Sequence, residues 1–210
     1  MRLLSLIAGL FMLSATAHAA PALDPENTLY LQLKDGRVVI ALRPDLAPNH
    51  VARIKQLTRQ GFYDGVVFHR VIDGFMAQTG DPTGTGMGGS KLPDLKAEFN
   101  AAKHVRGTLS MARSGNPDSA NSQFYICFKP TPFLDGQYTV FGQVVEGMQF
   151  VDAIKKGDSA NNGTVTNPDK IVSLKVAADV DGKTAAPAAA AAPAAPTVAP
   201  ASAPAAAVKH

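Results

Sequence analysis

Cysteine is nearly absent from the 210 residues: Cys127 stands alone, so no disulfide can close within the chain. It lies in the apolar stretch Gln123–Phe128 with no His beside it, and cysteine is among the most buried residue types. It therefore reads as a small core residue rather than a reactive thiol. A large excess of charge of one sign is lacking too. The formal net charge is only +3 and the Lys and Arg residues are scattered, which argues against a nucleic-acid partner. CxxC, HExxH and Walker-type patterns are missing, and the five His show no metal-ligand spacing. Long apolar runs are also lacking. The run Leu3–Leu13 falls short of the roughly 20 residues a membrane helix needs, and no later run is long enough, so no membrane span is expected.

What is present divides the chain into unlike parts. Arg2, the apolar run after it and the small residues ending in Ala17-His18-Ala19 come in the order of a secretory signal, which assigns residues 1–19 to a signal peptide. The alternative is a buried N-terminal strand or helix. Export, to a periplasm or to the outside where there is no outer membrane, is the expectation. From about Ala185 to Val208 the sequence is dominated by Ala and Pro. Repeated Pro blocks a continuous helix and Ala offers little surface to bury, so 181–210 reads as a disordered or semi-extended tail. Residues 20–27 form a lead-in, and 28–180 remain as one domain.

Within that domain short apolar segments alternate with Gly, Pro, Asn and Asp. Thr28–Leu33 alternates, and Asp35-Gly36 turns it into a second strand, Arg37–Leu42. Further strand candidates are Val66–Ile72, Phe75–Thr79, Thr108–Arg113, Gln123–Phe128, Thr139–Val145 and Ile171–Val176, eight in all. Pro48 opens a helix with Val51, Ile54, Leu57 and Thr58 on one face and Gly61 as its stop. A second helix is expected from about Met148 to Lys156. This pattern suggests a mainly β protein, a closed eight-stranded antiparallel β-barrel capped by two α-helices, because closure removes sheet edges. An open sandwich fits the same spacing.

The densest region runs from Phe68 to Asp81. If Phe68 and Ile72 face a core, Arg70 shares their side of the strand. Such an Arg could be half of a buried ion pair, could cover apolar surface with its stem, or could serve a site. Spacing alone leaves these open.

The segment Phe68-His69-Arg70-Val71-Ile72, followed by Gly74-Phe75-Met76 and Gln78, resembles the signature of the cyclophilin family. Gly61-Phe62-Tyr63-Asp64-Gly65 precedes it. Gly107–Arg113, Asn121–Ile126, Phe133-Leu134-Asp135-Gly136 and Val140-Phe141-Gly142 follow in the family's order. The resemblance covers about Thr28 to Val176 and implies an eight-stranded barrel with two capping helices and peptidyl-prolyl cis–trans isomerase activity without a cofactor. By resemblance Arg70, Phe75 and Gln78 are catalytic. Met76, Phe133 and Leu134 join Phe75 around the proline ring, with Tyr125 at the floor and Tyr138 at the edge. Gln123 and the backbone of Ala112 and Arg113 would hold the peptide. The partners implied are proline-containing segments of folding exported proteins, and the protein is expected to act as a monomer. A binding module that holds such segments and barely turns them over would use the same groove. His69 should point away from Arg70 and play a structural part, and Gly84, Gly86, Gly88 and Gly89 read as a flexible loop beside the groove.

Four positions depart from the commonest form of the family. Asp73 replaces a Pro in the signature turn, where Asp-Gly is itself turn-competent. Phe133 stands where many members have Trp, Tyr138 where many have His, and Arg113 where many have Asn. Without an indole N–H at 133, weak binding of the cyclic peptide cyclosporin is expected. Met-Ala-Arg and Phe133 resemble the bacterial periplasmic branch of the family.

Overall fold

The computed structural model describes residues 23–181. The expected signal peptide and the Ala/Pro tail after Asp181 lie outside the described residues. Of the lead-in, Asp24 caps a short 3-10 turn, Pro25–Asn27, by accepting a hydrogen bond from the Glu26 N–H.

All eight expected strands form. They are β1 (Thr28–Leu33), β2 (Gly36–Leu42), β3 (Arg70–Ile72), β4 (Met76–Thr79), β5 (Thr108–Met111), β6 (Phe124–Cys127), β7 (Val140–Glu146) and β8 (Ser173–Val176). They pair antiparallel in one sheet, in the order β3-β4-β6-β5-β7-β2-β1-β8. The hairpin forms, but it pairs Leu33 with Gly36, so the two-residue turn is Lys34-Asp35 and Gly36 opens β2, one position off the Asp35-Gly36 turn read from the sequence. Helix α1 (Pro48–Arg59) buries Val51, Ile54, Leu57 and Thr58 against the sheet, and Pro48 sits in its first turn. The second helix, α2 (Met148–Asp152), is shorter than expected, and a further short helix, α3 (Ala177–Val180), follows β8.

The sheet is an open half-barrel, which corrects the closed barrel read from the sequence. Strands β3 and β8 are its two edges and share no ladder. The strand expected to start at Val66 becomes regular only at Arg70, so contact across the seam falls to the segment before it: the Gly65 N–H donates to the Ile171 carbonyl at 2.8 Å and the Ile171 N–H to the Val66 carbonyl at 2.9 Å. Val67 bridges Lys170, and the Phe68 N–H donates to the Asp169 carbonyl at 2.9 Å. The irregular backbone also breaks the expected alternation. Phe68 joins Val71 in the main core, while Arg70 and Ile72 face the other side of the sheet.

Two apolar clusters result. The larger fills the concave side with Leu29, Leu31, Ile40, Ile54, Phe68, Phe124, Ile126 and Phe141. The smaller holds Met76, Tyr125, Cys127 and Leu134 on the outer face of β4 and β6, with Phe75, Ala112 and Tyr138 packed against it. Along β6 the side chains alternate strictly: Phe124 and Ile126 go to the main core, Tyr125 and Cys127 to the outer cluster. This second cluster is the base of the site.

Candidate active site

Antiparallel register sets Arg70 of β3 directly opposite Gln78 of β4, and Gln78 opposite Tyr125 of β6. Side chains at paired positions share a face, so an Arg, a Gln and a Tyr converge. The Arg70 Nη1 donates to Gln78 Oε1 at 3.2 Å. Gln78 Nε2 donates onward to Gln123 Oε1 at 2.9 Å, and Gln123 Nε2 donates to the Gly86 and Gly88 carbonyls. On its other side Arg70 is held by Asn162: Nε donates to its carbonyl at 3.0 Å and Nη2 to Oδ1 at 2.9 Å.

Arg70 is half-buried, and among the described residues no carboxylate pairs with it. Burial lowers its pKa, partly offset by Tyr138, yet a guanidinium stays charged. The ion-pair alternative is thereby set aside. Three of the five guanidinium N–H groups have oxygen acceptors; the rest face Met76 Sδ, 3.9 Å from Nη1, and the adjoining space. That space is a cavity of about 130 Å3 lined by Arg70, Phe75, Met76, Gln78, Ala112, Arg113, Tyr125, Leu134 and Tyr138.

Nine of the eleven residues singled out in the sequence line this cavity. Gln123 instead lines a second, larger cavity of about 460 Å3 that shares Gln78, Ala112 and Arg113 with the first. Phe133 lines neither. It lies in the 3-10 turn Pro132–Leu134, 64% exposed, with its ring 5.6 Å from that of Phe75. It is a rim residue, not a wall. Arg113 stands between the cavities, its guanidinium 4.4 Å from the centre of the Tyr138 ring.

The glycine-rich loop is less free than its composition suggests. Buried Asp81 accepts backbone N–H groups from Thr83, Thr85, Gly86 and Gly88. Burial pushes its carboxyl up, but those hydrogen bonds outweigh burial and hold it at about 2. A Cβ on Gly88 would lie 2.2 Å from Asp81 Oδ1, so the wrap requires glycine there. His69 is buried beneath this loop and faces away from the cavity, as expected. Cys127 is buried as well, and burial pushes its thiol up to about 11. Among the described residues no three His, Cys, Asp or Glu side chains converge as a metal cradle, and no helix is long and apolar enough to cross a membrane.

Asn162 was not visible from the sequence. Asn162-Gly163 signals a turn, but nothing in the spacing links it to an Arg 92 residues earlier. Gly163 follows with φ +77°, and a Cβ there would lie 2.4 Å from Ile72, so glycine lets the turn lie flat on β3.

The family model for cyclophilin type peptidyl-prolyl cis–trans isomerases matches residues 28–176, nearly the whole described domain. The chain belongs to this family. It is a cyclophilin-type peptidyl-prolyl cis–trans isomerase. A probable peptidyl-prolyl cis–trans isomerase of Brucella suis is 60% identical over 171 residues, covering 76% of this chain and 87% of that one. Isomerase B of Bacillus subtilis is 44% identical over 134 residues, 63% of this chain and 93% of its own. Among solved structures, a Hirschia baltica cyclophilin aligns with a TM-score of 0.68 at 28% identity, covering 75% of this chain and 76% of that one. A Cryptosporidium parvum cyclophilin-type isomerase, crystallised in the presence of the dipeptide Ala-Pro, aligns with 0.66 at 28% identity, covering 71% and 98%.

Proposed function

We propose that this isomerase turns X–Pro bonds in exported proteins by donating an Arg70 N–H to the prolyl nitrogen of the twisted transition state. Amide resonance sets a barrier of about 18–20 kcal/mol to that rotation. As the bond twists, the prolyl nitrogen loses conjugation, pyramidalises and gains a lone pair. A donor fixed at that point bonds the transition state and not the planar ground state. The observation that carries this reading is an uncompensated, half-buried guanidinium, clamped by Asn162 and Gln78, with spare N–H groups at a cavity that Phe75, Met76, Tyr125 and Leu134 also line. No nucleophile or general base is required.

Phe75, Met76, Leu134 and Tyr125 supply the apolar walls and floor for the proline ring, and Tyr138 its edge. Gln78 fixes Arg70, Gln123 braces Gln78 and the loop, and the backbone of Ala112 and Arg113 pairs with the peptide as a neighbouring strand does. Phe133 covers one side of the ring from the rim. The protein works as a monomer in the periplasm, or outside where there is no outer membrane, on proline-containing segments of folding chains. Cyclosporin binds weakly because Phe133 offers no N–H; nanomolar affinity by titration calorimetry contradicts this. A proline-switch peptide assay tests the mechanism: Arg70→Ala should lose about 100-fold in kcat/KM, the scale of removing one transition-state donor. A rate equal to that of the wild type overturns it.

A further inference from the structure

From the floor of the proline cavity a polar chain runs inward through Tyr125 to His104, which lines neither cavity. Tyr125 Oη lies 3.3 Å from His104 Nε2, and His104 Nδ1 lies 3.0 Å from Asp135 Oδ1. The His104 side chain has no exposed surface, and its ring stacks on that of Tyr125 with centroids 6.2 Å apart. Asp135 ends the 3-10 turn that carries Phe133 and Leu134. His104 therefore joins the floor of the cavity, on β6, to the turn that forms its wall.

Proton bookkeeping fixes the direction of the chain. Backbone and side-chain hydrogen bonds from His104 hold the Asp135 carboxyl at about 2 against a small effect of burial, with Lys103 adding to them. A carboxylate only accepts, so His104 Nδ1 carries the hydrogen. In the neutral ring Nε2 must then accept. Ser110 Oγ is 3.1 Å from Nε2, but it is also 2.9 Å from the Thr139 carbonyl, which can only accept and so claims its single O–H. The donor left for Nε2 is the Tyr125 hydroxyl. Protonation of His104 reverses this: Nε2–H then donates to Ser110 Oγ, and the Tyr125 hydroxyl loses His104 as its acceptor.

We infer that His104 is a positioning residue for isomerisation, holding Tyr125 and the Pro132–Leu134 turn at the spacing that grips the proline ring. This rests on the reading of the 130 Å3 cavity as the proline site. Burial keeps the imidazole below its ordinary range against the pull of Asp135, so the neutral, gripping form holds at neutral pH. The other charged or titratable groups around the chain are Lys103 at Asp135, and Cys127, Tyr138 and Arg113 around Tyr125. Asp135 titrates near 2 and Cys127 near 11, both well away from the imidazole range.

The test uses His104→Asn, which keeps a donor for Asp135 and loses the link to Tyr125, together with Tyr125→Phe and the double variant. Peptide isomerisation and thermal melting are measured on each. Each single variant should lose about five-fold in kcat/KM, the loss of one net hydrogen bond, and the double variant no more than the worse single. A folded His104→Asn with wild-type kcat/KM overturns the inference, as do single losses that multiply in the double. Should His104→Asn not fold, the pH profile decides. The wild type should lose kcat/KM as acid protonates His104, and Tyr125→Phe should lack that step; a step that persists in Tyr125→Phe overturns the inference. Failure of the underlying reading is separate: Arg70→Ala would then match the wild type.

Discussion

Gln78 meets Arg70 with its carbonyl oxygen and Gln123 with its amide, so one side chain transmits the position of the glycine loop to the guanidinium. Removing it leaves Arg70 charged but held by Asn162 alone. Gln78→Ala should therefore lower kcat/KM by about 10-fold to 100-fold, as small misplacements of a catalytic group do. Its melting temperature should stay close to the wild-type value, because Gln78 is only partly buried. Arg70→Lys should rescue little. An ammonium cannot reproduce the forked grip on Asn162 and Gln78, whatever its charge. Recovery of half the wild-type rate by Arg70→Lys would show that charge, not direction, is what the site needs.

At the scale of elements, the loop after β4 and the turn around Asn162 are the supports to test. Asp81 has a folded pKa of about 2, below the ordinary carboxylate value of an unfolded chain. Its stabilisation is therefore complete above about pH 4 and lost as pH falls through about 2, amounting to about 2 kcal/mol. Asp81→Asn should be destabilised at pH 7, and its stability should vary less between pH 4 and 2, as urea unfolding at each pH can show. Gly163→Ala places a Cβ against Ile72 at a positive φ and should cost about 1–3 kcal/mol. Activity should fall with it, since the neighbouring Asn162 holds Arg70. Equal melting temperatures for Gly163→Ala and the wild type would mean that the turn moves without cost.

The strands themselves were legible. Hairpin and turn residues bracket them, although the first hairpin turns on Lys34-Asp35, one position before the Asp35-Gly36 pair that signalled it. The facing of the strands was less so. In β6 every residue is buried, Phe124 and Ile126 on one side and Tyr125 and Cys127 on the other, so hydrophobicity cannot say which side carries the site. Only the family resemblance separated them. Arg70 was readable as unusual, but its clamp by Asn162 was not, because the contact joins loops far apart in sequence. The role of His104 was hidden in the same way: a His, an Asp and a Tyr scattered over 31 positions become a chain only when β6 and the Pro132–Leu134 turn come together.

On the scale of the whole molecule, the sheet stays open because β3 is too short to ladder with β8. The Val67–Lys170 bridge and the backbone hydrogen bonds between Gly65–Phe68 and Asp169–Ile171 span the gap, and Phe68 is fully buried. The family match, 28–176, encloses every described residue that lines the cavity. Deleting the residues after Thr184 should leave kcat/KM unchanged within about two-fold, since the described lining residues all fall between Arg70 and Tyr138. If export follows the N-terminal pattern, mass spectrometry of the mature protein should find Ala20 as the first residue. A chain that retains Met1 in the exported fraction contradicts that expectation.

The central claim is that Arg70 acts on the twisted bond and not on the resting peptide. One proline peptide measured two ways tests it: affinity by calorimetry and cis–trans exchange by NMR, for the wild type and Arg70→Ala. Exchange should fall by about 100-fold while Kd changes by less than about three-fold, because the donor meets its partner only in the transition state. Exchange and affinity falling together would make Arg70 a binding residue, and unchanged exchange would remove it from the mechanism.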